Sequence, residues 1–283
     1  MIQKSNDNTP TLYLVPTPIG NIEDITLRAV KILKSVDLVL SEDTRVTKQL
    51  FKELNISNKL VSNYEYNEEK NKELVLNYLK NGKNVALVSD QGTPVISDPG
   101  YNISSYIISQ NYNVVALPGA TALIPALITS GLTPMPFTFY GFLNSKETKR
   151  KKELDMLKNV KSTLIFYEAP HRLVDTLGNI LEIFGNRKIS ISREITKKYE
   201  EIYRGNIEEI ISQISTIKGE FVIVVEGAKN EIDFNDLKIE EHIKFYLDQG
   251  SELKEAMKLV AKDRKISKSD VYKKYQKGDK EWN

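Results

Sequence analysis

The chain has 283 residues, 40% of them hydrophobic and 28% charged, with a formal net charge of +2. That is an ordinary globular composition, long enough for about two domains. The absence of cysteine excludes a disulfide framework, thiolate catalysis, iron–sulfur ligation and Cys-based zinc sites, and the small net charge means that any nucleic-acid contact must come from a local basic cluster.

The N-terminal MIQKSNDNTP lacks the apolar core of a signal peptide. Thr11–Val15 reads as a first strand. A stiff loop, Pro16-Thr-Pro-Ile-Gly20, follows, and then a helix to about Ser35 capped by Asp24 or Thr26. This opening invites a dinucleotide-fold reading, but there is no G-x-G-x-x-G. Asp37–Leu40 is a second strand, running into Ser41-Glu-Asp-Thr-Arg45. Asp43 or Thr44 suits the N-cap of a helix to Leu54. Capping does not require Arg45, because the helix dipole disfavours a cation in the first turn, so Glu42–Arg45 reads as functional. Leu60–Ser62 is a strand and Asn67–Lys80 a helix.

Val85–Gly100, VALVSDQGTPVISDPG, is the stretch around which the rest is organised. Val85–Ser89 is a buried strand. Gly92, Pro94 and Pro99-Gly100 then shape a rigid loop bracketed by Asp90 and Asp98. Gly92 lets a ligand approach the backbone closely. An open parallel sheet puts its ligand crevice at such strand ends. Tyr101–Ser109 is a helix, Asn113–Ala116 a strand, and Leu117-Pro-Gly-Ala-Thr-Ala122 another strand-to-loop break with Thr121 as helix cap. Five strand–helix alternations predict a parallel sheet with helices on both faces. The loops at Pro16, Glu42, Asp90 and Pro118 then share one carboxyl edge. The uncharged span Pro99–Ser145 is interrupted too often to cross a membrane and reads as buried core.

A domain boundary falls near Leu132–Pro136, giving domains 1–133 and 134–230. Phe137–Phe142 opens the second as a strand. Lys146-Glu-Thr-Lys-Arg-Lys-Lys152 is the densest positive run; it suits a solvated helix face or phosphate contacts, which give affinity without sequence reading. Ser162–Tyr167 is a strand, followed by Glu168-Ala-Pro-His-Arg172, an acid, a possible base and a cation in five residues. Lys188–Ser192 is a strand ending in Arg193-Glu194. Glu200–Gly205 returns antiparallel, and Glu220–Glu226 is expected to close a mixed sheet. Residues 231–283 read as a helical module: Ile239–Leu247, Ser251–Lys262 and Ser267–Tyr275, with a capping-box-like Ser267–Asp270. Lys262–Lys277 holds seven basic residues against two acidic, which suits either a helix-turn-helix-like reader of nucleic acid or a plain helical cap.

The P-T-P-I-G-N, E-D-T-R, S-D-Q-G-T-P-V-I-S-D-P-G, P-G-A-T and F-Y-E-A-P-H-R motifs resemble those of the tetrapyrrole-methylase-like (class III) S-adenosylmethionine-dependent methyltransferases. Within that group they resemble the bacterial 16S ribosomal RNA cytidine 2′-O-methyltransferases. The resemblance implies two α/β domains with the cofactor cleft between them, plus the small C-terminal helical module. It implies S-adenosylmethionine as cofactor and 16S ribosomal RNA or the small ribosomal subunit as partner. It also implies a homodimer, while the residues themselves point to no membrane span and no metal site and the lack of cysteine fits a cytoplasmic location. The cofactor residues it implies are Pro18, Asp90, Gly92, Thr93, Pro94, Val95, Pro118, Gly119, Ala120, Thr121, Ala122 and Tyr167, with Asp90 at the methionine part and Tyr167 near the adenine. Asp43, Arg45, Glu168, His171 and Glu194 are the catalytic candidates. Lys146, Lys149, Arg150, Lys151, Lys152 and Arg172 are the RNA contacts. Related sequences often carry His where this chain has Val46, Tyr64 and Tyr66, so those histidines are not obligatory proton acceptors. A tetrapyrrole-precursor methyltransferase and a non-catalytic ribosomal RNA-binding assembly factor are the alternatives.

Overall fold

The structure is a computed structural model that describes residues 3, 9–64, 67–214, 218–229 and 237–278. The chain forms two compact units, Met1–Ala228 and Lys229–Asn283.

The first unit begins with β1 (Thr11–Leu14), α1 (Leu27–Ser35), β2 (Leu38–Ser41), α2 (Thr44–Glu53), β3 (Leu60–Ser62), α3 (Glu68–Lys80), β4 (Val85–Val88), α4 (Tyr101–Ser109), β5 (Asn113–Ala116) and α5 (Leu123–Thr129). The expected caps form at two helices. Thr26 accepts the Ala29 amide at 3.0 Å and Asp43 the Arg45 amide at 2.8 Å. At α5 the N-cap is Ala122, with no side-chain cap, so Thr121 does not serve there.

All five strands are parallel, in the order β3-β2-β4-β1-β5. Their ends are level: Ser41 pairs with both Ser62 and Val88, and Leu14 with Leu87 and Ala116. Because side chains alternate across a strand, β4 sends Ala86 and Val88 to one face, against Ala29, Leu33 and Phe51. Val85 and Leu87 go to the other, against Leu76, Leu79, Ile103 and Ile107. Both faces are covered, as near-continuous apolar strands require. The chain therefore leaves every strand at one edge, and the Gly-, Pro- and Asp-rich loops collect there.

The unit continues with β6 (Phe137–Phe142), α6 (Glu147–Leu157), β7 (Thr163–Glu168), α7 (Leu173–Phe184), β8 (Lys188–Arg193), β9 (Glu201–Asn206), α8 (Ile207–Gln213) and β10 (Phe221–Val225). The sheet order is β6-β7-β10-β8-β9, with β6 and β7 parallel and the remaining pairs antiparallel. β10 does not close the sheet at an edge, as expected from sequence; it is the central strand, paired on both sides and fully buried. One face carries α6, α7 and α8 over Leu164, Phe166, Ile191 and Ile223. The other receives Ala126 and Leu127 of α5 against Ile165, Val222 and Val224. So α5, which follows the first sheet in sequence, packs on the second.

The second unit holds α9 (Ile239–Asp248), α10 (Leu253–Asp263) and α11 (Lys268–Gly278), packed around Ile243, Met257, Val260 and Val271. Ser267 accepts the Asp270 amide at 3.1 Å and donates its hydroxyl to the Asp270 carboxylate at 2.6 Å. His242 is fully buried there, with Nε2 at 3.2 Å from Asp263. Among the described residues no helix is long and apolar enough to cross a membrane.

Candidate active site

Three loops at the carboxyl edge of the first sheet are laced together. Thr17 and Gly92 exchange backbone hydrogen bonds of 2.9 and 3.0 Å. The Thr17 hydroxyl donates to the Ser89 carbonyl at 3.2 Å, and the Thr93 hydroxyl to the Ala120 carbonyl at 2.9 Å. Two glycines permit this closeness. Gly92 has φ +81°, and a Cβ there would lie 3.2 Å from Ile19; a Cβ on Gly119 would meet Pro16 at 2.6 Å. Val95 also has φ +81°, a conformation that costs a β-branched residue on the order of 1–3 kcal/mol and that clusters at ligand clamps.

A cavity of about 350 Å³ lies between these loops and the second sheet. Gly92, Thr93, Asp98, Thr121 and Ala122 line it from one side; Phe142, Tyr167, Ile195, Phe221 and Val222 line it from the other. Tyr167 stands edge-on to Phe139 and Phe142, at 4.9 and 5.6 Å between ring centroids. Most of the wall is thus apolar, with few polar groups, as in small-molecule sites. Beside it lies a more open groove of about 630 Å³ lined by Pro18, Gly20, Asp43, Arg45, Val46, Gln49 and Asp90; Gln91 borders both.

Carboxylates set the field. Burial, and then Asp90, push the Asp98 carboxyl up to about 6. Burial also raises Glu42, helped by Asp90, Asp98 and Asp43. Asp43 goes the other way, down to about 2, because Arg45 hydrogen-bonds it through side chain and backbone. Environments that separate neighbouring carboxylates in this way are how one site divides acid–base roles. Asp90 accepts the Asp43 amide at 2.9 Å and so ties the β4 loop to the β2 loop.

Of the residues singled out from sequence, Gly92, Thr93, Thr121, Ala122 and Tyr167 line the cavity; Pro18, Asp90, Asp43 and Arg45 line the groove. Pro94, Val95, Pro118, Gly119 and Ala120 shape the loops from outside both linings. Glu168 borders the cavity, yet its side chain is fully buried: it accepts from Thr176 at 2.5 Å and from the Ala169 amide at 2.8 Å, and sits 3.2 Å from Arg172. His171 is exposed and belongs to neither lining. Glu194 is ion-paired to Lys197 at 3.0 Å and accepts the Glu220 amide. Tyr64 is exposed, and Tyr66 lies outside the described residues.

The basic run divides. Lys146, Lys149 and Lys152 are exposed and carry no ion pair among the described residues. Lys151 bridges Glu147 and Glu182. Arg150 corrects the sequence reading: it is 4% exposed and donates to Asn179 at 2.7 Å and to the Ser145 carbonyl. Arg172 also turns inward, donating to the Leu143 carbonyl at 2.6 Å. Sequence reasoning did not place Phe142, Ile195, Glu220, Phe221 or Val222 in the site.

Residues 11–211 match the Tetrapyrrole (Corrin/Porphyrin) Methylases, and the chain belongs to that family. Its similarity narrows further. A Bacillus subtilis (strain 168) protein named Ribosomal RNA small subunit methyltransferase I is 50% identical over 272 residues, covering 93% of each chain. The protein of the same name from Halalkalibacterium halodurans is 45% identical over 279 residues, covering 96% of each. The structure of uroporphyrin-III C-methyl transferase from Thermus thermophilus complexed with S-adenosyl homocysteine aligns with a TM-score of 0.56. It has 20% identity and covers 76% of this chain and 97% of that one; likeness at that distance speaks to the fold.

Proposed function

We propose that this protein transfers a methyl group from S-adenosylmethionine to the ribose 2′-oxygen of a cytidine in the decoding region of 16S ribosomal RNA. The broader class, an S-adenosylmethionine-dependent methyltransferase of small-subunit ribosomal RNA, rests on the family and on the two relatives named for that activity. The basic run Lys146–Lys152 and the E-D-T-R and E-A-P-H-R motifs favour RNA over a tetrapyrrole, and the finer choice of a cytidine 2′-oxygen rests on the resemblance of the S-D-Q-G-T-P-V-I-S-D-P-G loop to that of the cytidine 2′-O-methyltransferases. The observation that carries the reading is the cavity at the carboxyl edge. Its volume suits a nucleoside-sized donor, and Gly92, Thr93 and Asp98 line it together with mostly apolar side chains.

S-adenosylmethionine, when bound, supplies a methyl group activated by a sulfonium. Asp98 is the anion suited to the cationic part of the donor, and the Tyr167, Phe221 and Val222 surfaces suit its adenine and keep water out. The groove lined by Asp43 and Arg45 is the place for the RNA strand, because it meets the donor cavity at Gln91. Asp43, held acidic by Arg45, is a poor proton acceptor. Glu42, next in the chain to the groove residue Asp43 and itself in neither lining, is raised by burial and by three carboxylates, and we propose it as the base for the 2′-hydroxyl. Glu42→Gln is expected to lower kcat at least 100-fold while leaving donor affinity within about twofold. Single-turnover methylation and donor titration check this, and a normal kcat removes Glu42 from the role.

Lys146, Lys149 and Lys152 form the RNA-facing edge of α6. Replacing all three by alanine is expected to flatten the plot of log affinity against log salt by about 2–3 units. An unchanged slope places the RNA elsewhere. The chain is read as a cytoplasmic homodimer; Ile124 and Ile128, one turn apart on α5, are 40% and 69% exposed and are the surface on which light scattering of charged variants bears. The function itself is tested with labelled donor and small subunits from cells lacking the protein. One 2′-O-methylcytidine is the expected product, and donor binding without incorporation would overturn the proposal.

A further inference from the structure

Two exposed apolar side chains line the donor cavity. Phe142, the last residue of β6, is 53% exposed, and Ile96, in the loop after β4, is 59% exposed. The other aromatic side chains of β6, Phe137, Phe139 and Tyr140, are partly buried against the two faces of the second sheet. A side chain that lines a cavity and also stands half in water marks its mouth.

Phe142 is there because β6 breaks its own alternation. In a regular strand Phe142 would follow Tyr140 to the same face, and Tyr140 packs on the helix-covered face, 5.9 Å from the Phe166 ring. The register with β7 slips instead: Phe139 pairs with Ile165, Gly141 with Phe166 and Phe142 with Tyr167. Tyr140 is the extra residue, and Gly141, at φ +84°, takes the backbone angle that such a bulge demands. A Cβ on Gly141 would meet nothing closer than 3.8 Å, so the angle and not the space calls for glycine. Beyond the bulge the phase is reversed. Leu143 fills the helix-side core, 2% exposed, and Phe142 turns to the cavity, edge-on to Tyr167 at 5.6 Å. The bulge thus takes an aromatic ring out of the core and sets it at the mouth of the site, a known use of bulges beside active sites.

The chain around the ring suits RNA. Lys146, the first of the exposed lysines at α6, comes four residues after Phe142. Proteins that hold single-stranded RNA splay its bases onto aromatic side chains and track its backbone with positive charge. Resting on the proposed RNA substrate, we propose that Phe142 is the platform on which the base of the target nucleoside stacks, with Ile96 as the second apolar side chain of the seat. The stacked base fixes where its ribose lies, and the 2′-oxygen must meet the donor methyl in line. Every base has a π-face, so stacking tolerates any of the four. The ring therefore supplies alignment and leaves the choice of cytidine to other groups.

The test removes ring and base separately and together. Wild type, F142A, F142L and F142W are assayed on reconstituted small subunits whose methylated nucleotide either carries cytosine or is abasic, with the 2′-hydroxyl present in both. On the cytidine substrate F142A is expected to lower kcat/KM at least tenfold. F142W should restore it to within about threefold, and F142L should stay low, because leucine has apolar bulk but no ring face. On the abasic substrate the four proteins should share one reduced rate. An F142A loss as large on the abasic substrate as on cytidine overturns the proposal, and so does an F142L equal to wild type; if no protein methylates the abasic subunits, the contrast of F142W with F142L decides. Affinity for S-adenosylhomocysteine should stay within about twofold in every variant, and a tenfold loss would assign the ring to the donor instead. If the wild type methylates neither substrate, the proposed function fails separately. The indole of F142W, in a W282F background saturated with S-adenosylhomocysteine, is then titrated with a cytidine-containing single-stranded RNA. Quenching sustains the platform, and unchanged emission ends it.

Discussion

Replacing Asp98 by asparagine is expected to make the protein more stable at pH 7 and at least tenfold weaker for S-adenosylmethionine. The Asp98 carboxyl sits at about 6 against an ordinary 3.8, through burial first and Asp90 second. A folded-state value above the unfolded one means that the native state binds the extra proton between about pH 4 and pH 6. Stability therefore falls as pH rises through that window and stays lower above it. Two pH units of displacement correspond to roughly 3 kcal/mol, an upper figure because Asp98 is partly solvated. Asparagine has no charge to desolvate, so Asp98→Asn recovers part of that loss. On the ligand side, removing an anion that meets a cation forfeits a charge-assisted contact worth about 1.5–3 kcal/mol. Donor affinity of the wild type should also fall as pH drops below about 6, while that of Asp98→Asn stays flat. Melting curves and donor titrations between pH 5 and pH 8 check both halves. A variant that melts lower at pH 7 and binds normally rules out this account of Asp98.

Glu168→Ala should have the largest effect on folding. The side chain is fully buried, and its two oxygens serve Thr176, the Ala169 amide and Arg172. Arg172 in turn holds the Leu143 carbonyl at the end of β6. Truncation leaves the Thr176 hydroxyl and the Ala169 amide without their acceptor and the part-buried Arg172 guanidinium without its counter-ion, which costs about 3–5 kcal/mol. For a unit of this size that is a drop in Tm of roughly 6–20 °C. Glu168→Gln keeps the acceptor for Thr176 and should fall in between. A group that took the substrate proton would behave differently: glutamine would abolish kcat and spare Tm. The expected pattern is a lowered Tm with kcat within about tenfold, read by calorimetry and single-turnover assay. The reverse pattern returns Glu168 to the catalytic group.

Much of the first sheet was legible because each strand exit carries its own punctuation. Thr26 and Asp43 cap where their spacing says, and Gly92 and Gly119 stand where the backbones of neighbouring loops approach. The far wall of the cavity was legible only at Tyr167. Ile195, Phe221 and Val222 reach it through strand order, and β10 shows no local mark of a central strand other than its unbroken apolar run, which an edge strand under a helix also shows. Arg150 did carry a signal. It lies four residues before Leu154 and seven before Leu157, on the face that α6 buries, but the surrounding lysines hid it. Glu168 and Glu194 read as chemistry because a carboxylate at a strand end looks the same whether it meets a substrate or a neighbouring arginine or lysine. Only the pairing distances separate the two.

The central place of β10 has a consequence for biosynthesis. Until residues 221–225 have left the ribosome, the second sheet exists as two halves, β6-β7 and β8-β9, each with an unpaired edge of the kind that recruits foreign strands. The strand that joins them also brings Phe221 and Val222 to the cavity. The cavity is therefore completed only when the last strand of the first unit has emerged. A chain ending before Phe221 is expected to be aggregation-prone and, on the proposed donor site, to bind S-adenosylmethionine poorly.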